Sequence, residues 1–169
     1  MSHRVPWWLV TCLLSSPVAA QTGDSLPPWV EVDVAARTVQ LRLETGAGDS
    51  GAALINGHYR GEVQLVIPLH WTVRWSWRNA DSVRSHSLVL MVEREKLPTE
   101  GGRPAFSNAM SRSVTAGLRP GQTDLTTFVA EEAGWYWLLC GVPDHALQGE
   151  WIGLRVDPGA TMAAVRSKR

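Results

Sequence analysis

The sequence predicts an all-β fold, an antiparallel sandwich or barrel of about eight short strands. Several segments alternate apolar and polar residues with a period of two, which is typical of strands with one buried face. Short turn signals such as Asn56-Gly57 and Pro120-Gly121 separate these segments. No segment shows the sustained apolar period of 3.6 residues that a helix would give. The length of 169 residues corresponds to one domain.

The predicted strands follow one another from Trp29 onward. In Trp71–Arg78, every second residue is apolar and the residues between are polar, so one face of this strand is predicted to be buried. Ser85–Val92 and Trp135–Cys140 are apolar on both faces, as strands in the centre of a sandwich are. One long irregular segment, Lys96–Met110, interrupts the pattern, and loops of this length are often functional. The other predicted strands are Thr38–Glu44, Glu62–Ile67, Gln122–Ala130 and Trp151–Val156.

Composition and charge exclude several function classes. The chain carries 16 Lys and Arg against 16 Asp and Glu, and 44% of its residues are hydrophobic. This balance is that of a folded globular protein. Because the net charge is zero, no nucleic-acid partner and no acidic disordered region are expected.

Residues 1–20 have the architecture of a secretory signal peptide. A short basic opening precedes the apolar run Val5–Leu14, and small residues at Val18 and Ala20 favour cleavage after Ala20. The apolar run of ten residues is too short to span a membrane, which takes about 20 residues. The alternative is that the segment forms a buried N-terminal strand or helix. We therefore expect an exported protein, periplasmic or extracellular, whose mature chain has no membrane span.

The predicted organisation after cleavage is one folded domain over residues 21–157. Residues 158–169 end in the polar run Arg-Ser-Lys-Arg and are expected to form a flexible C-terminal tail.

The cysteine content of the mature chain needs an explanation. Cys12 is lost with the signal peptide, so Cys140 is then the single cysteine. A lone thiol in an oxidising compartment is a buried inert residue, a partner for an intermolecular disulfide, or a metal ligand.

The surroundings of Cys140 favour the metal. Cys140 ends a predicted strand, and His145 follows five residues later across a turn that contains Gly and Pro, so both can point at one position. His86 lies on another central strand with the parity of its apolar neighbours and is predicted to face inward. One thiolate and two imidazoles are the donors of a blue-copper centre, although zinc accepts the same ligands. Glu150, five residues after His145, is the candidate for a fourth ligand.

Three stretches resemble the sulfocyanin branch of the cupredoxins: Asn56–Met91, the segment PAFSNAM, and Phe128–Val156. That family typically shows an Asn-x-Gly opening, a Val-Pro-x-x-Trp-x-Val strand, a Pro-His or Ser-His strand, and a Cys-Gly-x-Pro-Gly-His-x-x-x-Gly-Met loop. The resemblance implies an antiparallel Greek-key β-sandwich of cupredoxin type that holds one mononuclear copper ion. It also implies that His86, Cys140 and His145 are the equatorial copper ligands.

Two positions depart from the family pattern. Asp144 replaces the Gly before the second His, and Glu150 stands where the family has its axial Met. A carboxylate is a hard anionic donor, so it should favour Cu(II) and lower the reduction potential. Coordination by Glu is chemically reasonable, because a red-copper class of cupredoxins has a Glu ligand. The alternative is that Glu150 points to water, with Gln148 or no residue in the axial position.

The resemblance implies an electron-transfer protein rather than an enzyme: a one-electron carrier between redox partners. The ring edge of His145 is the expected exit for the electron, within a docking patch that includes Pro143, Ala146 and Leu147. The alternative is an open, red-copper-like site that binds or converts a small ligand such as nitric oxide or a peroxide. Copper storage or delivery is a weaker alternative, because a buried rigid site releases its metal slowly.

Overall fold

A computed structural model describes residues 26–48 and 51–167, so the predicted signal peptide lies outside the described residues. These ranges contain strands and loops but no helix, and hence no helix that could cross a membrane. The strands are β1 (Val30–Asp33), β2 (Thr38–Ala47), β3 (Ala53–Ile55), β4 (Val63–Pro68), β5 (Thr72–Asn79), β6 (Val89–Val92), β7 (Thr123–Val129), β8 (Gly134–Leu139), β9 (Trp151–Asp157) and β10 (Ala164–Ser167).

The strands form two sheets with the main core between them, which confirms the predicted all-β sandwich. One sheet has the order β1-β2-β5-β7, with β3 paired to β2, and the other has the order β10-β4-β9-β8-β6. Two pairs, β2 with β5 and β4 with β9, are parallel, whereas the others are antiparallel. Each parallel pair joins strands that are not consecutive along the chain, a long-range pairing that local alternation does not reveal.

The faces predicted from the alternation are the faces that are buried. In β5 the apolar residues Val73, Trp75 and Trp77 point into the core, while the residues between them are more exposed. The parallel register sets them beside the alternating apolar residues of β2, with Leu41 next to Trp75 and Leu43 next to Trp77. This row of large side chains forms the centre of one sheet face.

The segment before β6 is held by a loop rather than by a strand. Only Val89–Val92 of the predicted strand Ser85–Val92 is regular strand. The backbone of His86 instead exchanges two hydrogen bonds with Leu118, and the Ser111 N–H donates to the Leu88 carbonyl. The chain between β6 and β7, which extends beyond the predicted irregular segment Lys96–Met110, therefore supplies the pairing that fixes this segment.

The C-terminal region differs from the predicted flexible tail over residues 158–169. Ala164–Ser167 forms β10 and pairs with β4, which would otherwise be the edge of its sheet. Ala163 is buried in the main core and Val165 packs against it. These apolar side chains explain why a segment that looks polar at its end is nevertheless part of the sheet.

Two facing glycines join the irregular region to the loop that follows β8. The Gly101 N–H donates to the Gly141 carbonyl at 2.8 Å. A Cβ on Gly101 would lie 2.7 Å from the Gly141 Cα, which is closer than two carbon atoms can pack. Gly102, by contrast, has room, since its Cβ would meet only the Met91 side chain at 3.4 Å.

We expect Gly101→Ala to lower the free energy of unfolding by about 1–3 kcal/mol, because the added methyl group forces the two loops apart. The matched control Gly102→Ala should leave stability within about 1 kcal/mol of the unsubstituted chain. Urea unfolding of the two variants measures the difference. Equal stability of both variants would show that the two loops are not in close contact at Gly101 and Gly141.

Candidate metal centre

Four side chains converge at one end of the sandwich: His86, Cys140, His145 and Glu150. One ligand atom from each lies within 4.8 Å of all the others. The Cys140 Sγ is 3.5 Å from the His145 Nδ1 and 4.0 Å from the His86 Nδ1. The Glu150 Oε2 is 2.8 Å from the His86 Nδ1 and 3.1 Å from the His145 Nδ1. The structure thus brings together all four residues that the sequence singles out.

Strand pairing sets the positions of Cys140 and Glu150. Cys140 directly follows β8, and Glu150 directly precedes β9, its antiparallel neighbour, so the two residues stand opposite each other. The Cys140 N–H donates to the Glu150 carbonyl at 3.0 Å, which extends the ladder by one step. His145 lies in the loop between them, and its carbonyl accepts a hydrogen bond from the Glu150 N–H.

The loop between Cys140 and Glu150 needs two left-handed residues. Asp144 has a φ of 66°, which explains why the family pattern has Gly there and why Asp, which tolerates this region better than most residues, can replace it. Gly149 has a φ of 113°, and a Cβ there would lie 2.8 Å from the Arg60 Cγ. The Gly149 carbonyl also accepts the Arg60 N–H at 2.7 Å. Only glycine suits this position, and its bend delivers Glu150 into the cluster.

His86 is fully buried and is contacted on both ring nitrogens. Its Nδ1 faces Glu150, whereas its Nε2 lies 3.2 Å from the Oδ2 of Asp81. Gly117, with a φ of 72°, packs against the His86 backbone so closely that a Cβ would lie 2.9 Å from the His86 carbonyl oxygen. Asp81 was not among the residues singled out by sequence. The one sequence feature that marks Asp81 is the Asn-x-Asp turn after β5. Such turns are common in proteins and do not by themselves indicate a metal site.

Ser87 is a second residue that sequence reasoning missed. Its backbone N–H donates to the Cys140 Sγ at 3.3 Å, and its hydroxyl lies 3.8 Å from the same sulfur. The hydroxyl oxygen accepts the Gly141 N–H at 2.8 Å. Ser87 thus ties the His86 segment to the Cys140 loop and places hydrogen-bond donors next to the sulfur.

Burial raises the pKa of the Cys140 thiol far above its usual range, and the nearby charge of Glu150 raises it further. Hydrogen bonds from Ser87 and Val142 oppose this effect but do not overcome it. A thiolate in this position therefore requires a cation beside it.

The two carboxylates around His86 dominate its protonation. Burial by itself would lower the pKa of His86, but the hydrogen bonds and charges of Glu150 and Asp81 outweigh it and raise the pKa above 6.5. For Asp81, burial acts to raise the pKa, yet the backbone N–H groups of Arg84 and Val83, with His86 and the Arg84 side chain, hold it well below its usual range. Negative charge thus stands on both sides of this imidazole.

Glu150 supplies the observation that tests whether a metal fits. Its side chain is 1% exposed, and its Oε1 is buried without a hydrogen-bond partner among residues 26–48 and 51–167. A buried carboxylate oxygen without a partner is costly, and a cation would remove that cost. The alternative of a surface carboxylate is therefore wrong, and Gln148 is itself exposed. A thiolate, two imidazoles and a carboxylate are donors that suit copper or zinc.

The outer surface of the cluster is formed by His145 and its neighbours. The His145 side chain is 15% exposed, and both Pro143 and Leu147 are exposed. Ala146 is not part of this surface, contrary to the sequence-based expectation. It is buried in a second apolar cluster with Val89, Trp137 and Leu139, because the loop turns it inward.

Comparison with known proteins gives one family and several similar folds. The family model described as "Sulfocyanin (SoxE) domain" matches residues 28–164. A dithionite-reduced auracyanin from the photosynthetic bacterium Roseiflexus castenholzii is 20% identical, with a TM-score of 0.50 over 70% of this chain and 97% of that chain. A multicopper oxidase is 18% identical, with a TM-score of 0.50 over 71% of this chain and 42% of that chain. At these identities the structural likeness shows the fold alone. A search of curated proteins gives no significant match.

Proposed function

Because the chain belongs to the sulfocyanin family of cupredoxin-type copper proteins, we propose that it is an exported one-electron carrier with one copper ion. The proposed ligands are His86, Cys140, His145 and Glu150. The observation that carries the proposal is the convergence of these four side chains, one of which is a buried carboxylate with an oxygen that has no partner among the described residues. Export rests on the signal-peptide pattern of residues 1–20.

The proposed ligands and their neighbour Ser87 would act on the copper in different ways. The Cys140 thiolate is the strong covalent donor, and the Nδ1 atoms of His86 and His145 both face the sulfur and the Glu150 carboxylate. Copper at this position would supply a Cu(II)/Cu(I) couple. Ser87 donates its backbone N–H to the sulfur, which withdraws electron density and tunes the potential.

The low exposure of the cluster favours electron transfer over chemistry on a substrate. His86, Cys140 and Glu150 are all at most 2% exposed, so a large substrate has no access to them. His145 alone reaches the surface, with Pro143 and Leu147 exposed beside it on the same loop. A redox partner that docks on this apolar edge would lie next to an imidazole that contacts the copper.

The negative charge of Glu150 determines whether the reduction potential of the copper is raised or lowered relative to a site with a neutral ligand. With one thiolate and one carboxylate, a Cu(II) site is neutral, whereas a Cu(I) site keeps a net negative charge. Negative charge in a dry pocket is unfavourable, so the oxidised state is stabilised relative to a site with a neutral axial ligand. We therefore expect a lower potential than a Met at this position would give.

We expect Glu150→Met to raise the reduction potential by about 59 mV or more, the value of a tenfold change in relative affinity for a one-electron couple. Glu150→Gln, which keeps the shape and an oxygen donor but removes the charge, should raise it as well. Spectroelectrochemical titration of the copper-loaded variants measures both. Unchanged potentials in both variants would show that the Glu150 carboxylate does not act on the copper.

The proposed docking surface around His145, which includes Pro143 and Leu147, leads to a second prediction. Leu147→Asp should slow electron self-exchange of the copper-loaded protein about tenfold, because it replaces apolar contact with like charges that repel. The matched control is Leu125→Asp on β7, since Leu125 is even more exposed (79% against 50%) but lies outside the site loop. NMR line broadening in mixtures of the oxidised and reduced protein gives the rates. Equal rates in the two variants would contradict docking at this edge.

A second candidate function is favoured by the carboxylate itself. A hard oxygen donor in place of a thioether suits a copper site that also accepts a small exogenous ligand such as nitric oxide. A change in the paramagnetic spectrum of the copper-loaded protein on addition of nitric oxide, at an unchanged self-exchange rate, would favour this function.

A further inference from the structure

The imidazole of His86 lies between two buried carboxylates. Glu150 faces its Nδ1 at 2.8 Å, and Asp81 faces its Nε2 at 3.2 Å. Only the Glu150 side also carries the thiol and the second imidazole. Asp81 is therefore outside the proposed ligand set but in direct contact with one of its members.

Asp81 is itself fixed by four hydrogen bonds in the turn after β5, three of them to its carboxylate. Its Oδ1 accepts the backbone N–H groups of Val83 and Arg84 at 2.7 and 2.9 Å. Its Oδ2 accepts the Arg84 Nε–H at 3.1 Å, and its own N–H donates to the Asn79 side chain at 3.0 Å. With the side chain 3% exposed, the carboxylate cannot turn away from His86 without breaking several of these bonds.

The same turn is tied to the backbone of His86. The Asn79 side-chain amide donates to the carbonyls of Arg84 and Leu118, at 2.9 and 2.8 Å. Leu118 in turn exchanges two backbone hydrogen bonds with His86. One asparagine thus links Leu118, the backbone partner of His86, to the turn that carries the carboxylate partner of the imidazole.

The two ring nitrogens then have separate tasks. A nitrogen that binds a metal must offer a lone pair, so a neutral imidazole with Nδ1 toward the metal carries its proton on Nε2. At His86 this proton has a carboxylate acceptor, and such an acceptor makes the ring a stronger donor. His145 shows no acceptor for its Nε2 within residues 26–48 and 51–167.

We infer that Asp81 is a positioning residue of the copper site, which holds His86 as the Nε2–H tautomer with Nδ1 directed to the metal and strengthens it as a ligand for Cu(II). This inference rests on the proposed copper site. It goes beyond that site because it assigns a role to a residue that does not coordinate.

The variant Asp81→Asn tests the inference, since it removes the charge and keeps the side-chain shape. We expect its Cu(II) dissociation constant to rise about 10- to 100-fold and its reduction potential to increase. In the diamagnetic Cu(I) protein, the NMR signal of the His86 Nε2 proton should move upfield and exchange faster with water. A purely structural role would not move this proton signal selectively.

The matched control is Asp124→Asn, which also removes a carboxylate that accepts backbone and arginine N–H groups. Its partners are Arg112 and Leu125, so it should leave the copper affinity and the potential unchanged.

If Asp81→Asn does not fold, the variant Arg84→Gln tests the inference instead. Without the guanidinium the Asp81 charge acts more strongly on His86, and the potential should then fall, whereas an unchanged potential overturns the inference.

The outcomes separate this inference from the proposed function. If the unsubstituted chain binds no copper, the copper site and the role of Asp81 both fail. If the chain binds copper but Asp81→Asn keeps the same affinity, potential and His86 proton signal, the role of Asp81 is overturned and the copper site stands.

Discussion

A carboxylate and a thiol share one buried corner of this sandwich, and the geometry of the site follows from the need to stabilise both. The antiparallel pairing of β8 and β9 sets Cys140 opposite Glu150. Burial raises the pKa of the Cys140 thiol, and the Glu150 charge raises it further. Two imidazoles at hydrogen-bond distance from the carboxylate offset part of this cost, and a cation bound by all four side chains would offset the rest. The burial and the donor set of this site thus favour a bound metal ion.

The two histidines would have different tasks in the proposed electron carrier. His86 is fully buried and is held through both ring nitrogens, so it gives the site a fixed geometry. His145 belongs to a loop and has a partly exposed side chain, so it gives the site a contact with the surface. A rigidly held ligand limits the rearrangement that accompanies a change in the charge of the metal. An exposed ligand gives a redox partner a contact close to the metal.

The sequence is sufficient for those features that local patterns determine. Alternation predicts the buried face of β5, and the short Gly/Pro loop places Cys140 and His145 together. Features that arise from distant pairing are not predictable in this way. The depth of Glu150 depends on the β8–β9 ladder, and β10 depends on the free edge of β4. The role of Asp81 is not predictable from the sequence, because the sequence of a turn does not show whether its aspartate faces water or an imidazole.

Metal analysis after titration of the metal-free protein with copper tests the central claim most directly. We expect one copper per chain, retained in competition with zinc, and loss of that stoichiometric binding in Cys140→Ser. The absence of stoichiometric copper, or equal binding by the Cys140→Ser variant, would contradict the assignment of this buried cluster as a copper centre.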